Sequence, residues 1–331
     1  MPSRLRVSFA ALCAIFAVAM SNVGAQAQEK IKFLLDFAPW GGHAAAHLAV
    51  QKGWFKEEGL DVEVLDGRGS VSTIQLVGAG QADVGMAQLG PMATARTTAN
   101  LPLKSIAGWM RKGDLAVLVD SRANLNTVKD LAGKKLALFA ASPFVPFLDM
   151  FFKNGGITKE AAQLVYVDPS AMVTAYTSGQ ADGVMTAGPY GMAIAELVRP
   201  TKLILAADYG IAYPSYGLFA TESTIAQKKE ALRKLVKVQV RAWNYIYDGH
   251  VDEGVDAIIK QRPDAKLNPV VLKRHLELYR DFFETPNTKG KTFGWQADAD
   301  WKEALESMER AGLIKAGWKT SDFFTNDFTP Q

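Results

Sequence analysis

Two stretches about a hundred residues apart read alike. "SVSTIQLVGAGQADVGM" (70–86) and "SAMVTAYTSGQADGVM" (170–185) each run from a serine through a helix-like stretch to Gly-Gln-Ala-Asp and then a short apolar run. Gly80-Gln81-Ala82-Asp83 and Gly179-Gln180-Ala181-Asp182 lie 99 residues apart. Chance can repeat four common residues, but the flanks match as well. A period this long marks a duplicated lobe, not a solenoid, whose repeats are 20–50 residues. With 331 residues and 48% hydrophobic composition, the chain can fill two cores.

Each lobe reads as α/β. "KIKFLLDF" has the apolar run of a buried strand, Ala44 to Val50 reads as a helix, and Gly53 and Gly59 punctuate its end. "LDVEVL" alternates as a second strand, so strand, helix and strand form a parallel unit. "LKSIAGWMRKGDLAVLVD" is expected to be a strand leaving the first lobe, and "LAGKKLALFA" the first strand of the second. "KLILAADYGIAYPSYGLFAT" is expected to cross back. Leu232, Leu235, Val236, Trp243 and Ile246 then recur at helical spacing, and "ADWKEALESMERAGLI" closes on a capping Gly312, so the tail is helical and packs on the first lobe. Two crossings between lobes suit a clamshell that shuts on a ligand.

The first residues belong to neither lobe. Arg4 and Arg6, the apolar stretch Val7–Met20 and the small-residue end Ala25-Gln26-Ala27 have the order of a secretory leader, cleaved after Ala27. The expected organisation is a signal peptide over 1–27, a first lobe of 28–114 plus 213–331 with the C-terminal helices, and a second lobe of 115–212. Without the leader, 35 basic residues face 34 acidic ones. Such balance gives no footprint for nucleic acid. Cys13, the sole cysteine, falls inside the leader, leaving no thiol nucleophile, disulfide or thiolate ligand.

No catalytic motif stands out, and no cofactor is called for. His43 and His47 have an i, i+4 spacing that some zinc sites use, but the glutamate of the zincin pattern is missing. "LDGRGSV" lacks the lysine and hydroxyl of a phosphate-binding loop. The informative segments are loops following parallel strands, where open α/β folds bind ligands. In the first lobe these are "DFAPWGGH" (36–43), "DGRGSV" with Gly69 and Ser70, and "MAQLGPM" with Gln88. The second lobe adds "ASPFVPF" with Ser142 and Phe144, "VDPSA", and "TAGPYGM" with Tyr190; Tyr209, Tyr213 and Tyr216 follow in the return crossing. Helix starts after Gly69-Ser70 and Ser142-Pro143 would offer free N–H groups. Asp36 reads as a ligand contact, with the cap of the next helix as the alternative, and Trp40 equally as a stacking platform or as packing between lobes.

These residues carry a family likeness. Asp36-Phe37-Ala38-Pro39 with His43, then "LAVQKGWFKEEGLDVEV", "GQADVGMA" and "LAGKKLALF", resemble the thiamine-pyrimidine-precursor binding family of periplasmic ABC-importer proteins, whose relatives bind alkanesulfonates, taurine and nitrate. The resemblance implies the two-lobe, type II periplasmic-binding-protein fold, with two hinge crossings and the ligand in the interlobe cleft. It implies no enzyme activity. It also implies a periplasmic chain that acts as a monomer, takes a small-molecule ligand and hands it to an ABC permease in the inner membrane. Asp36 and His43 would supply polar contacts, Trp40 and Tyr190 stacking, and Ser70 and Ser142 further hydrogen bonds, with Gly69, Gln88, Phe144 and Tyr209 lining the site.

A carboxylate in the cleft repels a sulfonate or nitrate and accepts from an amino-pyrimidine, so the segment favours the pyrimidine branch. Departures from the family pattern widen the choice. Trp40-Gly41-Gly42 stands where relatives often have asparagine after the proline, and "PYGMAIA" has no acid before Glu196. These departures leave room for another planar aromatic or heteroaromatic solute. The cysteine-rich motif of the eukaryotic relatives that synthesise the pyrimidine is missing.

Overall fold

The computed structural model describes residues 28–330; the expected leader over 1–27, with its cleavage point and Cys13, lies outside them. The first sheet has the order β2-β1-β3-β10-β4, built from β1 (Glu29–Leu34), β2 (Leu60–Leu65), β3 (Val84–Gln88), β4 (Leu103–Gly108) and β10 (Tyr216–Thr221). The second has the order β7-β6-β8-β5-β9, from β5 (Leu115–Asp120), β6 (Lys135–Leu138), β7 (Gln163–Tyr166), β8 (Gly183–Ala187) and β9 (Thr201–Leu205). Both place parallel pairs on one side (β2/β1/β3 and β7/β6/β8) and antiparallel pairs on the other (β3/β10/β4 and β8/β5/β9). The sheets thus follow one plan, as the internal repeat predicts.

The repeated aspartate has the same work in both lobes. Asp83 Oδ2 accepts from the Lys32 N–H at 2.8 Å, while the Asp83 N–H donates to the Lys32 carbonyl. Asp182 Oδ2 accepts from the Lys135 N–H at 2.8 Å, and its own N–H donates to the Lys135 carbonyl. Each clamps the start of the strand that follows it to the neighbouring parallel strand.

Among the helices are α1 (Ala44–Gln51), α2 (Ser70–Gly78), α3 (Leu89–Thr98), α4 (Leu148–Asn154), α5 (Met172–Thr177), α6 (Gly188–Ala195), α7 (Lys229–Tyr247), α8 (Val251–Gln261), α9 (Pro269–Tyr279) and α10 (Asp298–Arg310). Leu232, Leu235, Val236, Trp243 and Ile246 of α7 are all buried, as their spacing predicts. α7 and α8 pack against α1, whereas α9 touches both the Gly41–His43 turn of the first lobe and α6 of the second. Among the described residues no helix is long and apolar enough to cross a membrane.

One expectation is corrected. The apolar run 103–120 is two strands in different sheets, and β5 precedes β6 as the first strand of the second sheet. The ladder ends because backbone donors find other partners: Trp109 and Met110 donate to the Tyr216 carbonyl, and Arg111 and Lys112 to the Phe282 carbonyl. Residues 109–114 therefore form one crossing, and 206–215 the other, between β9 and β10.

Candidate functional site

Between the sheets lies a cavity lined by residues from both, including Asp36, Phe37, Trp40, Gly69, Ser70 and Tyr216 on one side and Phe139, Pro143, Met172, Thr186 and Tyr190 on the other. It spans ≈ 350 Å³ of empty space, part of it open to solvent. Asp36 and Phe37 follow β1, Gly69 and Ser70 follow β2, Phe139 and Pro143 follow β6, and Tyr190 stands in α6 just after β8. This is the carboxyl edge of the parallel strands, where α/β sheets leave a crevice.

Asp36 is the polar centre of the first-lobe wall. Its Oδ1 accepts from Trp40 Nε1–H at 3.2 Å and sits 2.8 Å from His43 Nε2. No cap bond joins it to the following turn, whose N-cap is Trp40, so the capping alternative is removed. Its backbone carbonyl accepts from the Gly69 N–H at 2.7 Å, tying two cavity loops together. Among the described residues no hydrogen bond reaches Oδ2, leaving that oxygen as the acceptor available at the cavity. The Asp36 side chain is 5% exposed, and a buried charge in such a place needs partners that donate.

Trp40 is held on every side. Its ring meets Tyr190 edge-on at 5.9 Å and Tyr216 at 5.3 Å, with Tyr279 at 5.0 Å behind it. Gly41 and Gly42 follow from this packing. A Cβ on Gly42 would lie 2.2 Å from the Trp40 ring, and one on Gly41 would lie 2.5 Å from His275 Cβ. The "WGG" departure from the family pattern is thus one packing unit. Tyr190 faces Phe37 edge-on at 5.8 Å, and burial pushes its hydroxyl well above the usual phenol range, so it stays protonated.

Of the residues singled out from sequence, Asp36, Trp40, Gly69, Ser70 and Tyr190 line the cavity. His43 stands one layer back, holding Asp36. Gln88 is buried behind Ser70: its N–H donates to Ser70 Oγ at 3.3 Å, and its side chain joins Asp114 and Tyr213. Ser142 is buried next to the cavity residue Pro143, its Oγ accepting from the Phe144 N–H. The helix expected to start there begins later, as a short 3₁₀ turn at Val145–Phe147 leading into α4.

Phe144 and Tyr209 lie away from the cavity. Phe144 packs edge-on against Phe151 at 5.1 Å, and Tyr209 meets the same ring at 5.5 Å while its hydroxyl accepts from the Val128 N–H. Phe37, Phe139, Met172 and Thr186 carry no such signal in the sequence; only their position just after or at the end of β1, β6 and β8, or at the start of α5 for Met172, marks them.

His43 and His47 have ring centroids 6.4 Å apart, and His47 Nδ1 is 3.2 Å from Gln261 Oε1. Among the described residues no group of three or more His, Cys, Asp or Glu could hold a metal ion.

A family described as NMT1/THI5 like matches residues 40–249. A formylaminopyrimidine-binding protein of Halalkalibacterium halodurans is 21% identical over 308 residues, covering 91% of this chain and 91% of its own. The riboflavin-binding protein RibY of Chloroflexus aurantiacus is 25% identical over 317 residues, covering 91% and 86%. Among solved structures, the alkanesulfonate-binding protein SsuA from Xanthomonas axonopodis pv. citri, bound to MOPS, aligns with a TM-score of 0.69 at 14% identity, over 89% of this chain and 98% of that one. At that identity the likeness establishes the periplasmic-binding-protein fold alone.

Proposed function

The chain belongs to the NMT1/THI5-like family, and from that premise we propose that it is the periplasmic substrate-binding component of an ABC importer, specific for a small planar nitrogen heterocycle of the pyrimidine thiamine-precursor type. The observation that carries this reading is the state of Asp36: a buried carboxylate with one oxygen held by Trp40 and His43 and the other left for the cavity, among aromatic walls. A ring bearing N–H donors answers such an acceptor with a charge-assisted hydrogen bond, whereas a sulfonate or nitrate placed there meets like charge. Phe37, Trp40, Tyr190 and Tyr216 offer apolar and edge contacts to a flat ring. The named ligands of two relatives, a formylaminopyrimidine and riboflavin, are both planar nitrogen heterocycles.

The mechanism is lobe closure. The cleft opens about the crossings at 109–114 and 206–215, the solute enters, and the closed form is presented to the permease. The Asp36–His43 pair serves binding, not turnover: Oδ1 is already committed to two donors within the protein.

The test is a thermal-shift panel on the chain from residue 28, unfolded and refolded to strip carried-over solute. Pyrimidines, flavins and aromatic carboxylates are set against taurine, alkanesulfonates and nitrate. A solute at a hundred times its Kd adds about 2.7 kcal/mol of stability, and a shift with nitrogen heterocycles alone is expected. A shift with small anions alone overturns the reading.

A further inference from the structure

One residue touches both walls of the cleft. His275, on α9, is 2% exposed. The Gly41 N–H, in the turn beside Asp36, donates to His275 Nδ1 at 3.3 Å, and His275 Nε2 lies 3.0 Å from the carbonyl oxygen of Tyr190 on α6. The imidazole also stacks on the Tyr190 ring with centroids 5.1 Å apart and planes at 5°, and meets Trp40 edge-on at 5.8 Å.

We propose that His275 is the latch of the cleft, a positioning residue that joins the Trp40–Gly41 turn of the first lobe to Tyr190 of the second, so that closure and the shape of the solute site are set together. Only the neutral ring carrying its proton on Nε2 satisfies both ends: Nδ1 must accept from an N–H while Nε2 donates to a carbonyl. Burial and the nearby His43 both oppose a charge on the ring.

Charged and titratable groups come from each element around the ring. Arg274 and Glu277 are on α9 itself, Glu196 and Tyr190 belong to α6 and its end, and Asp36 and His43 to the first-lobe loop. The Arg274–Glu196 pair, 2.6 Å apart, spans the same two elements next to the ring but is solvent-exposed. An exposed ion pair contributes little, so of the two contacts that α9 makes with α6 the buried ring is the stronger.

The latch rests on reading this cleft as the solute site, but its test contains no solute, so the two can fail separately. In the chain from residue 28, which has no cysteine, Gln75→Cys on α2 and Thr174→Cys on α5 take spin labels at exposed positions on either side. Electron–electron distance measurements at pH 7.5 then read the closed and open populations. A populated short distance is expected for the unaltered latch, and His275→Ala should lower the closed-to-open ratio roughly tenfold, the weight of one to two net hydrogen bonds.

His275→Asn keeps an acceptor near Gly41, and His275→Gln a donor near Tyr190. A joint that needs both ends loses most of its closed population in each. Restoration by Asn alone would assign the ring to packing within the first lobe and overturn the latch. An Arg274→Ala effect equal to that of His275→Ala would do the same, as would a cleft with no closed population before mutation.

Discussion

Ser215 donates its hydroxyl to Asp114 Oδ1 at 2.6 Å, joining the two chain crossings at the back of the cleft. The same carboxylate accepts from Gln88 Nε2 at 3.0 Å and from the Tyr279 hydroxyl at 2.9 Å, and the Asp114 carbonyl accepts from the Gly188 N–H at the start of α6. First sheet, second lobe and C-terminal helices therefore meet at one buried side chain. Tyr279 packs on Trp40 at 5.0 Å, which links this junction to the cavity wall. Ser215→Ala removes a donor from a fully buried carboxylate and should lower unfolding free energy by about 1–3 kcal/mol in urea titrations. A loss below about 0.5 kcal/mol would show that the crossings are held elsewhere.

Asp36→Asn keeps an oxygen acceptor for Trp40 and His43 while removing the charge offered to the cavity. It should therefore fold, yet bind the captured heterocycle some ten- to a hundredfold more weakly, the scale of a hydrogen bond to a charged group. Titration calorimetry measures this directly. Unchanged affinity in a folded Asp36→Asn protein would take the carboxylate out of the site.

The lobe plan was legible because the duplicated aspartates do a local job at a fixed distance from their strands, as Asp83 with Lys32 and Asp182 with Lys135 show. The front loop was legible because Asp36, Trp40 and His43 contact one another within eight residues of chain. Phe144 and Tyr209 read as lining residues because an aromatic in a loop looks the same whether it turns to the cleft or, as both do, to Phe151. His275 and Asp114 carried no local signal. Their partners lie 85 to 234 residues away for His275 and 26 to 165 away for the side chain of Asp114, so only tertiary packing reveals them.

Gly69 brings a first-lobe loop against the second lobe. Its φ is +125°, and a Cβ there would sit 2.9 Å from the Ala141 carbonyl oxygen and 3.0 Å from Phe139. Gly69→Ala thus pays a backbone penalty of about 1–3 kcal/mol and wedges the cleft. The expected result is a larger radius of gyration in small-angle scattering and a weaker solute affinity, with secondary structure unchanged. A variant as compact as the parent would show that the loops yield without opening the cleft.

Acid should loosen the fold through its buried histidines, and Asp114 should oppose them. Burial pushes His47 and His275 down from 6.5 to about 4. The unfolded chain therefore binds more protons than the native one between those values, and stability falls as pH drops from about 6.5 to about 4. Around His47 stand His43, Gln261, Arg262 and Asp66; around His275 the groups that act on the ring are Tyr190 and His43, with Arg274 and Glu277 on the same helix. Asp114 behaves in the opposite sense. Desolvation raises it from 3.8 to about 6 against the hydrogen bonds of Ser215 and Tyr279, with Asp36 adding to the rise. In the native state it takes up its proton first, so its contribution grows as pH falls from about 6 to 3.8. Asp114→Asn deletes that counterweight, and urea midpoints measured from pH 7 to pH 4 should fall more steeply than in the parent. His47→Gln, which keeps an amide for Gln261, should make the fall shallower. Parallel curves for all three proteins would mean that these groups titrate alike in the folded and unfolded chain.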